Sequence, residues 1–170
     1  MKYAGMVFVI VSAASVGLQM SSSLRNRCRL LRQLLAAIQI LRNEISVCGT
    51  PLPQAFALIA VSSNGAVARL FSYLAREMEI RRWLTPVAAM EQGLGDDPAW
   101  KQESCVCGIL GHCAAGLGKY DRTSQMQVLD QTANDLTALL KQTEQEQSIR
   151  GKTYRILGIC AGLSMVILLA

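Results

Sequence analysis

Four residues in one short segment carry side chains that bind metals: Cys105, Cys107, His112 and Cys113. On a helix, which turns by about 100° per residue, Cys105 and His112 share a face while Cys107 points nearly opposite. A tetrahedral zinc site needs four converging ligands, most often in CxxC-type spacing. The pattern therefore favours small apolar cysteines and a hydrogen-bonded histidine. The alternative is a small membrane redox or metal-binding protein that uses these four residues.

Other chemical patterns in the chain are incomplete. Gly111 and Gly116 have the spacing of a phosphate-binding loop, but Leu117 stands where lysine is needed and the segment has a helical pattern. His112 is the only histidine, so histidine-assisted nucleophilic catalysis would have to use it. Gly108, Gly111 and Gly116 are instead predicted to let neighbouring helices approach closely. We predict no enzyme, no catalytic residue, no cofactor and no metal.

Charge is absent from both ends of the chain. No charged residue occurs between Lys2 and Arg25, and none follows Arg155. About 20 helical residues cross a hydrocarbon core of roughly 30 Å, so the first run is long enough. The second run reaches only about 22 Å at 1.5 Å per residue, and needs local thinning or snorkelling of its flanking arginine to cross. For this run, an apolar end on a water-soluble helical domain is the alternative.

The arginines that flank these runs predict an orientation. Four arginines follow the first run, two arginines and a lysine precede the second, and cytoplasmic flanks carry such an excess. The middle of the chain is therefore predicted to be cytoplasmic, with both termini across the membrane. The predicted organisation is an N-terminal transmembrane helix over 1–24, a cytoplasmic helical-bundle domain over 25–153, and a C-terminal transmembrane or membrane-anchoring helix over 154–170.

Small residues mark both terminal runs. Ala13 and Gly17, like Gly158 and Gly162, have the four-residue spacing that lets membrane helices pack closely. Simple lipid exposure is the alternative. A cleaved signal peptide, for which Ser12-Ala13-Ala14 would be the cleavage region, is the other interpretation of the first run.

The overall composition of the chain limits the classes of molecule that it is expected to bind. The net charge of +5 is mild, and the arginines beside the apolar runs suit anionic lipid head groups. Aromatic residues make up only 5% of the chain and do not alternate with basic ones, which argues against nucleic-acid binding. The six cysteines should be reduced in a cytoplasmic domain.

Hydrophobic spacing predicts an all-α bundle of about six helices, the first and last continuing into the terminal runs. The first apolar stripe consists of Leu24, Cys28, Leu31, Leu35, Ile38 and Ile45. Helix boundaries follow from local signals. Gly49 is predicted as a stop, Asn64-Gly65 as a turn, and Thr50-Pro51, Thr85-Pro86 and Asp97-Pro98 as starts, with Thr50 as the N-cap of the second helix. The fifth helix is predicted to run from Asp97-Pro98 to about Leu117. After a joint over 118–122, Asp121 is predicted to cap the sixth.

Three segments in order resemble the stage III sporulation protein AB family of endospore-forming bacteria. They are Leu41-Arg42-Asn43-Glu44-Ile45 with Gly49-Thr50-Pro51-Leu52-Pro53-Gln54-Ala55, then Leu117-Gly118-Lys119-Tyr120-Asp121-Arg122-Thr123-Ser124-Gln125, then the closing Leu157-Gly158, Ala161-Gly162-Leu163 and Ile167-Leu168-Leu169. The resemblance covers essentially the whole chain. Tyr120 departs from the histidine expected in some relatives, and the domain is rich in cysteine.

The resemblance implies a fold and a role. The cytoplasmic part would look like the helical-bundle domain of the type II secretion F protein. The chain would be a structural component of the channel complex between mother cell and forespore, anchored in the mother-cell membrane that faces the forespore, with its soluble domain in the mother-cell cytoplasm. Expected partners are the secretion-ATPase-like stage III sporulation protein AA, other membrane components of the channel and membrane lipid; self-association is left open.

One end of the bundle is the predicted docking site for that ATPase. The 118–122 joint and the 50–54 turn should be neighbours there. A cation in the first turn of a helix opposes the helix dipole, so Arg122 should serve another purpose: an internal salt bridge or a contact to an acidic patch on the partner. The predicted partner-binding residues are Thr50, Pro51, Pro53, Lys119, Asp121 and Arg122.

Overall fold

The computed structural model contains six α-helices, and the residues that it describes form no strand. Backbone is described for residues 2–118 and 121–169, and side chains for 23–118 and 121–149. The helices are α1 (Lys2–Asn43), α2 (Leu52–Ser62), α3 (Gly65–Ile80), α4 (Pro86–Asp96), α5 (Ser104–Leu117) and α6 (Arg122–Leu169). A π-helical turn, Glu44–Cys48, follows α1, and a 3₁₀ helix, Pro98–Trp100, precedes α5. The predicted all-α class and helix number are confirmed.

The chain divides into two compact units. Unit 1 contains Met1–Arg29 and Leu140–Ala170, and unit 2 contains Leu30–Leu139. Within unit 1, the buried thiol of Cys28 donates to the Gln147 side-chain oxygen at 3.6 Å, so α1 and α6 are in contact there.

Unit 2 holds the apolar core. Phe56 of α2 and Phe71 of α3 pack with ring centroids 5.6 Å apart and planes tilted by 55°, an arrangement that aromatic pairs favour. Every helix of the unit contributes buried side chains, among them Leu31, Ile38, Ile59, Leu74, Met90, Leu110, Leu129 and Leu136. The apolar stripe predicted for the first helix faces the core through Leu31, Ile38 and Ile45, which are buried. Arg42, which interrupts the α1 stripe, is exposed and pairs with Asp130 at 2.7 Å.

Local signals place most helix boundaries correctly. Gly49 ends the π-helical turn with φ +63°, a conformation that glycine adopts without a Cβ clash. Thr85 caps α4 by accepting the Ala88 N–H at 3.3 Å.

Two boundary predictions are wrong in detail. The N-cap of α2 is Pro51, whose carbonyl accepts from Gln54 and Ala55, and not Thr50. The Thr50 hydroxyl instead donates back to the Glu44 carboxylate at 2.7 Å, so it stabilises the preceding turn. The helix predicted to run from Pro98 to Leu117 is broken, because Asp97 caps only a 3₁₀ turn and α5 begins separately at Ser104.

Of the three glycines of α5 that were predicted to allow close helix contact, only Gly116 does so. A Cβ on Gly116 would lie 2.6 Å from Val128 Cγ1, so α5 and α6 are in close contact there. A Cβ on Gly108 or Gly111 would meet nothing within 4 Å, so close approach does not explain these two glycines.

No helix within the described residues is long and apolar enough to span a bilayer. Except for Ser23 and Leu24, the predicted membrane segments over 1–24 and 154–170 lie outside the residues whose side chains are described. The same holds for Ala13, Gly17, Gly158 and Gly162.

Candidate functional site

The joint over 118–122 contacts the π-helical turn Glu44–Cys48, which precedes the predicted neighbour, the 50–54 turn. Arg122, the first residue of α6, donates from Nη2 to the carbonyl oxygen of Ile45 at 2.8 Å and also to that of Ser46. The last carbonyls of a helix lack partners within it and carry partial negative charge, which a guanidinium stabilises. Arg122 therefore binds the carbonyl end of the π-helical turn that follows α1. Its observed partners are main-chain oxygens, whereas the two predicted alternatives were an internal salt bridge and a contact to an acidic patch on the partner.

Asp121 caps α6 as predicted. Its carbonyl accepts from the Gln125 N–H at 2.9 Å. Its carboxylate accepts from the Ser124 hydroxyl and from the N–H groups of Ser124 and Thr123, and these bonds lower the pKa of Asp121 below its ordinary value. The side chain is exposed, so the carboxylate that organises the helix start also faces solvent.

The joint lies against the start of α4. A Cβ on Gly118 would be 3.2 Å from Pro86 Cδ, so the two backbones approach closely. The Gln125 side-chain amide donates to the Leu117 carbonyl at 2.8 Å and ties α6 to the end of α5. We use the name joint end for residues 44–53, 80–86, 118 and 121–122, which comprise the segments that make these contacts and their neighbours in sequence.

The predicted partner-binding residues differ in exposure. Pro51, Asp121 and Arg122 are exposed, while Thr50 and Pro53 are half-buried. Lys119 lies outside the described residues.

Three exposed large apolar residues of the joint end were not predicted. Val47, in the π-helical turn, is 73% exposed, Ile80, at the end of α3, is 69% exposed, and Trp83, between α3 and α4, is 78% exposed. The tryptophan could have been found from its position after Arg81-Arg82 and before the Thr85-Pro86 helix start, because tryptophan is enriched among the side chains that contribute most to protein interfaces.

The four residues of the metal-site alternative do not converge. Cys105 and His112 are exposed, whereas Cys113 is buried and its thiol is hydrogen-bonded with Thr132. The Cys107 thiol donates to the Trp100 carbonyl at 3.5 Å. Across residues 23–118 and 121–149, no three His, Cys, Asp or Glu side chains are placed to hold a metal ion. The redox or metal-binding alternative thus has no ligand cluster in this part of the chain.

Three comparisons agree on the family. The profile described as "Stage III sporulation protein AB" matches residues 2–170. The chain is 31% identical to stage III sporulation protein AB of Bacillus subtilis (strain 168), over 99% of both chains. A solved structure of stage III sporulation protein AB superposes with a TM-score of 0.64 and 30% identity, covering 71% of this chain and 94% of that one. This chain therefore belongs to the stage III sporulation protein AB family.

Proposed function

We propose that this protein is a membrane-anchored structural component of a sporulation-specific, secretion-like channel complex between mother cell and forespore. In this role it serves as a platform for a cytoplasmic secretion-type ATPase, stage III sporulation protein AA, and carries out no reaction itself. Its family membership over residues 2–170 supports a part in sporulation. Other membrane components of the channel would be further partners.

The location proposed is the mother-cell membrane that faces the forespore, with residues 25–153 in the mother-cell cytoplasm. The supporting observation is the pair of uncharged terminal runs with arginines on their inner sides. A reporter that is active only in the cytoplasm, fused after Ala170, should be silent. Bright signal from an intact, membrane-inserted fusion would contradict this topology.

The joint end is the surface that we propose for the ATPase. The observation that carries this assignment is the exposure of Val47, Pro51 and Trp83 on segments that meet the joint. Arg122 bonds the turn that contains Val47, and Gly118 approaches Pro86, which follows Trp83 by three residues. Exposed tryptophan is the side chain most often found at the energetic centre of protein interfaces. The hydrogen bonds that order these segments before binding reduce the entropy lost when a partner docks.

The experiment measures binding of purified stage III sporulation protein AA to the full-length chain in nanodiscs. Trp83→Ala should weaken the complex about tenfold or more, the cost of about 1.4 kcal/mol at a central interface side chain. Ile149→Ala is the matched control, because Ile149 is 64% exposed and lies on α6 in unit 1. Unchanged affinity of the Trp83 variant, or an equal loss in both, would refute docking at the joint end.

A further inference from the structure

Helix α2 is apolar on two faces. It contains no charged residue over Leu52–Ser62. One face packs into unit 2 through Ala55, Phe56 and Ile59, which are buried. The opposite side exposes Ala57, Leu58 and Val61, with Val61 89% exposed. Steps of three and four residues place these side chains in one stripe, a pattern that normally faces a second packing partner.

A groove of about 530 Å³ runs between α2 and α3 beside this stripe. Ala60, Val61 and Ala68 form its apolar part, and Ser72 and Tyr73 add polar atoms on the α3 side. Arg69 and Arg76 complete the lining, which includes no carboxylate. The groove thus combines an apolar wall with a cationic edge.

The two arginines are oriented by internal partners and still face solvent. Arg69 pairs with Asp97 at 2.6 Å, and its side chain is 61% exposed. Arg76 pairs with Glu77 at 3.3 Å and is 67% exposed. Arg81 lies 3.4 Å from the same Glu77 carboxylate, so two guanidiniums share one acid and a positive charge stays uncompensated. Each guanidinium has five N–H donors, which leaves donors for a further acceptor.

We propose that this groove binds an amphipathic helix of another protein, with apolar residues at steps of three and four and acidic residues along one flank. The apolar residues would cover Leu58 and Val61, and the acids would meet Arg69 and Arg76, as in other helix-in-groove complexes. A two-fold pair of this chain would set arginines against arginines, and a flat lipid surface would leave a concave groove unfilled. The groove and the joint end share no lining residue, and this proposal does not depend on ATPase docking.

The experiment places a photo-cross-linking residue, p-benzoylphenylalanine, at position 61 of the full-length chain in sporulating cells. The cross-linked peptide is identified by mass spectrometry and should be a helical segment of another protein with the stated apolar and acidic pattern. The same probe at position 83 reports the joint end, so failure of one proposal is distinguishable from failure of the other. Because Val61 is almost fully exposed, the replacement should leave the fold intact.

Charge variants in the position-61 background test the chemistry. Arg76→Glu should lower the adduct yield about tenfold, whereas Arg76→Lys should keep most of it, since it retains the positive charge. Adducts only with lipid, only with a second copy, or only with a segment without acids would overturn the proposal. So would the absence of any adduct from a chain present at its normal level, or equal yields from the two Arg76 variants.

Discussion

Arg122 Nη2 lies 2.8 Å from the carbonyl oxygen of Ile45, although 77 positions separate the two residues along the chain. The contact joins the start of α6 to the π-helical turn that follows α1, and the same guanidinium also reaches Ser46. One side chain thus connects the two longest helices of the protein at the joint end. Its loss should therefore affect stability even though the residue is exposed.

Arg122→Ala should lower the free energy of unfolding by about 1–2 kcal/mol, because two helix-end carbonyls lose a charged donor. Arg122→Lys should lose less, since it keeps the charge but not the geometry of the guanidinium. The measurement is the thermal midpoint of each full-length variant, together with its affinity for stage III sporulation protein AA below that midpoint. An unchanged midpoint with lost affinity would mean that Arg122 contacts the partner and is not a structural link.

Gly116 should not tolerate a side chain. Gly116→Ala forces a methyl group against the β-branched side chain of Val128, 2.6 Å away, and should cost about 1–3 kcal/mol. Gly108→Ala is the matched control on the same helix, and should stabilise the fold by up to about 1 kcal/mol, because its Cβ enters open space. Chemical denaturation measures both. Adding Val128→Ala should recover part of the Gly116→Ala loss; two equally mild alanine variants would contradict the close contact.

The cysteines should react with iodoacetamide in an order given by their environments. Cys48 and Cys105 are exposed and should be modified first. Burial raises the pKa of the Cys107 and Cys113 thiols, so both hold less reactive thiolate near neutral pH. Cys113 is only 2% exposed and should react only after unfolding. Time-resolved labelling read by mass spectrometry tests this order, and Cys113 labelling as fast as Cys105 would show that the interface around α5 opens readily.

Asp97 should stabilise the protein in a pH-dependent way. The Ala99 N–H, at 3.0 Å, and Arg69 hold the pKa of its carboxyl below the ordinary 3.8. A lowered folded-state pKa means that the contribution is present above the unfolded value and is lost as pH falls through the folded one. The stability difference between wild type and Asp97→Ala should thus be largest near neutrality and shrink as the pH falls below the ordinary carboxyl pKa of 3.8. Asp97→Asn, which keeps an acceptor for the N–H, should be the milder change; a difference independent of pH would refute the role of the charge.

Local chemistry was enough to predict the helices and most of their ends. Gly49 stops the first helix because only glycine adopts a positive φ without strain, and Thr85 caps α4 because its hydroxyl reaches an N–H three residues on. Such signals involve neighbours in sequence, so they need no knowledge of the fold. The resemblance that identified the family also rested on short motifs and their order.

The tertiary structure determined the features that local sequence patterns cannot distinguish. Gly108 and Gly116 are the same residue on one helix, and only the position of α6 shows that one is in close contact and the other is open. The Thr50 hydroxyl could either cap α2 or bond back to the preceding turn. The π-helical turn brings the Glu44 carboxylate within reach, so the hydroxyl bonds to Glu44. The apolar pattern of α2 shows two apolar sides, but packing against α3 determines which side is buried and which is left exposed at the groove. Each of these outcomes depends on distances between residues far apart in the chain, which spacing along a sequence does not contain.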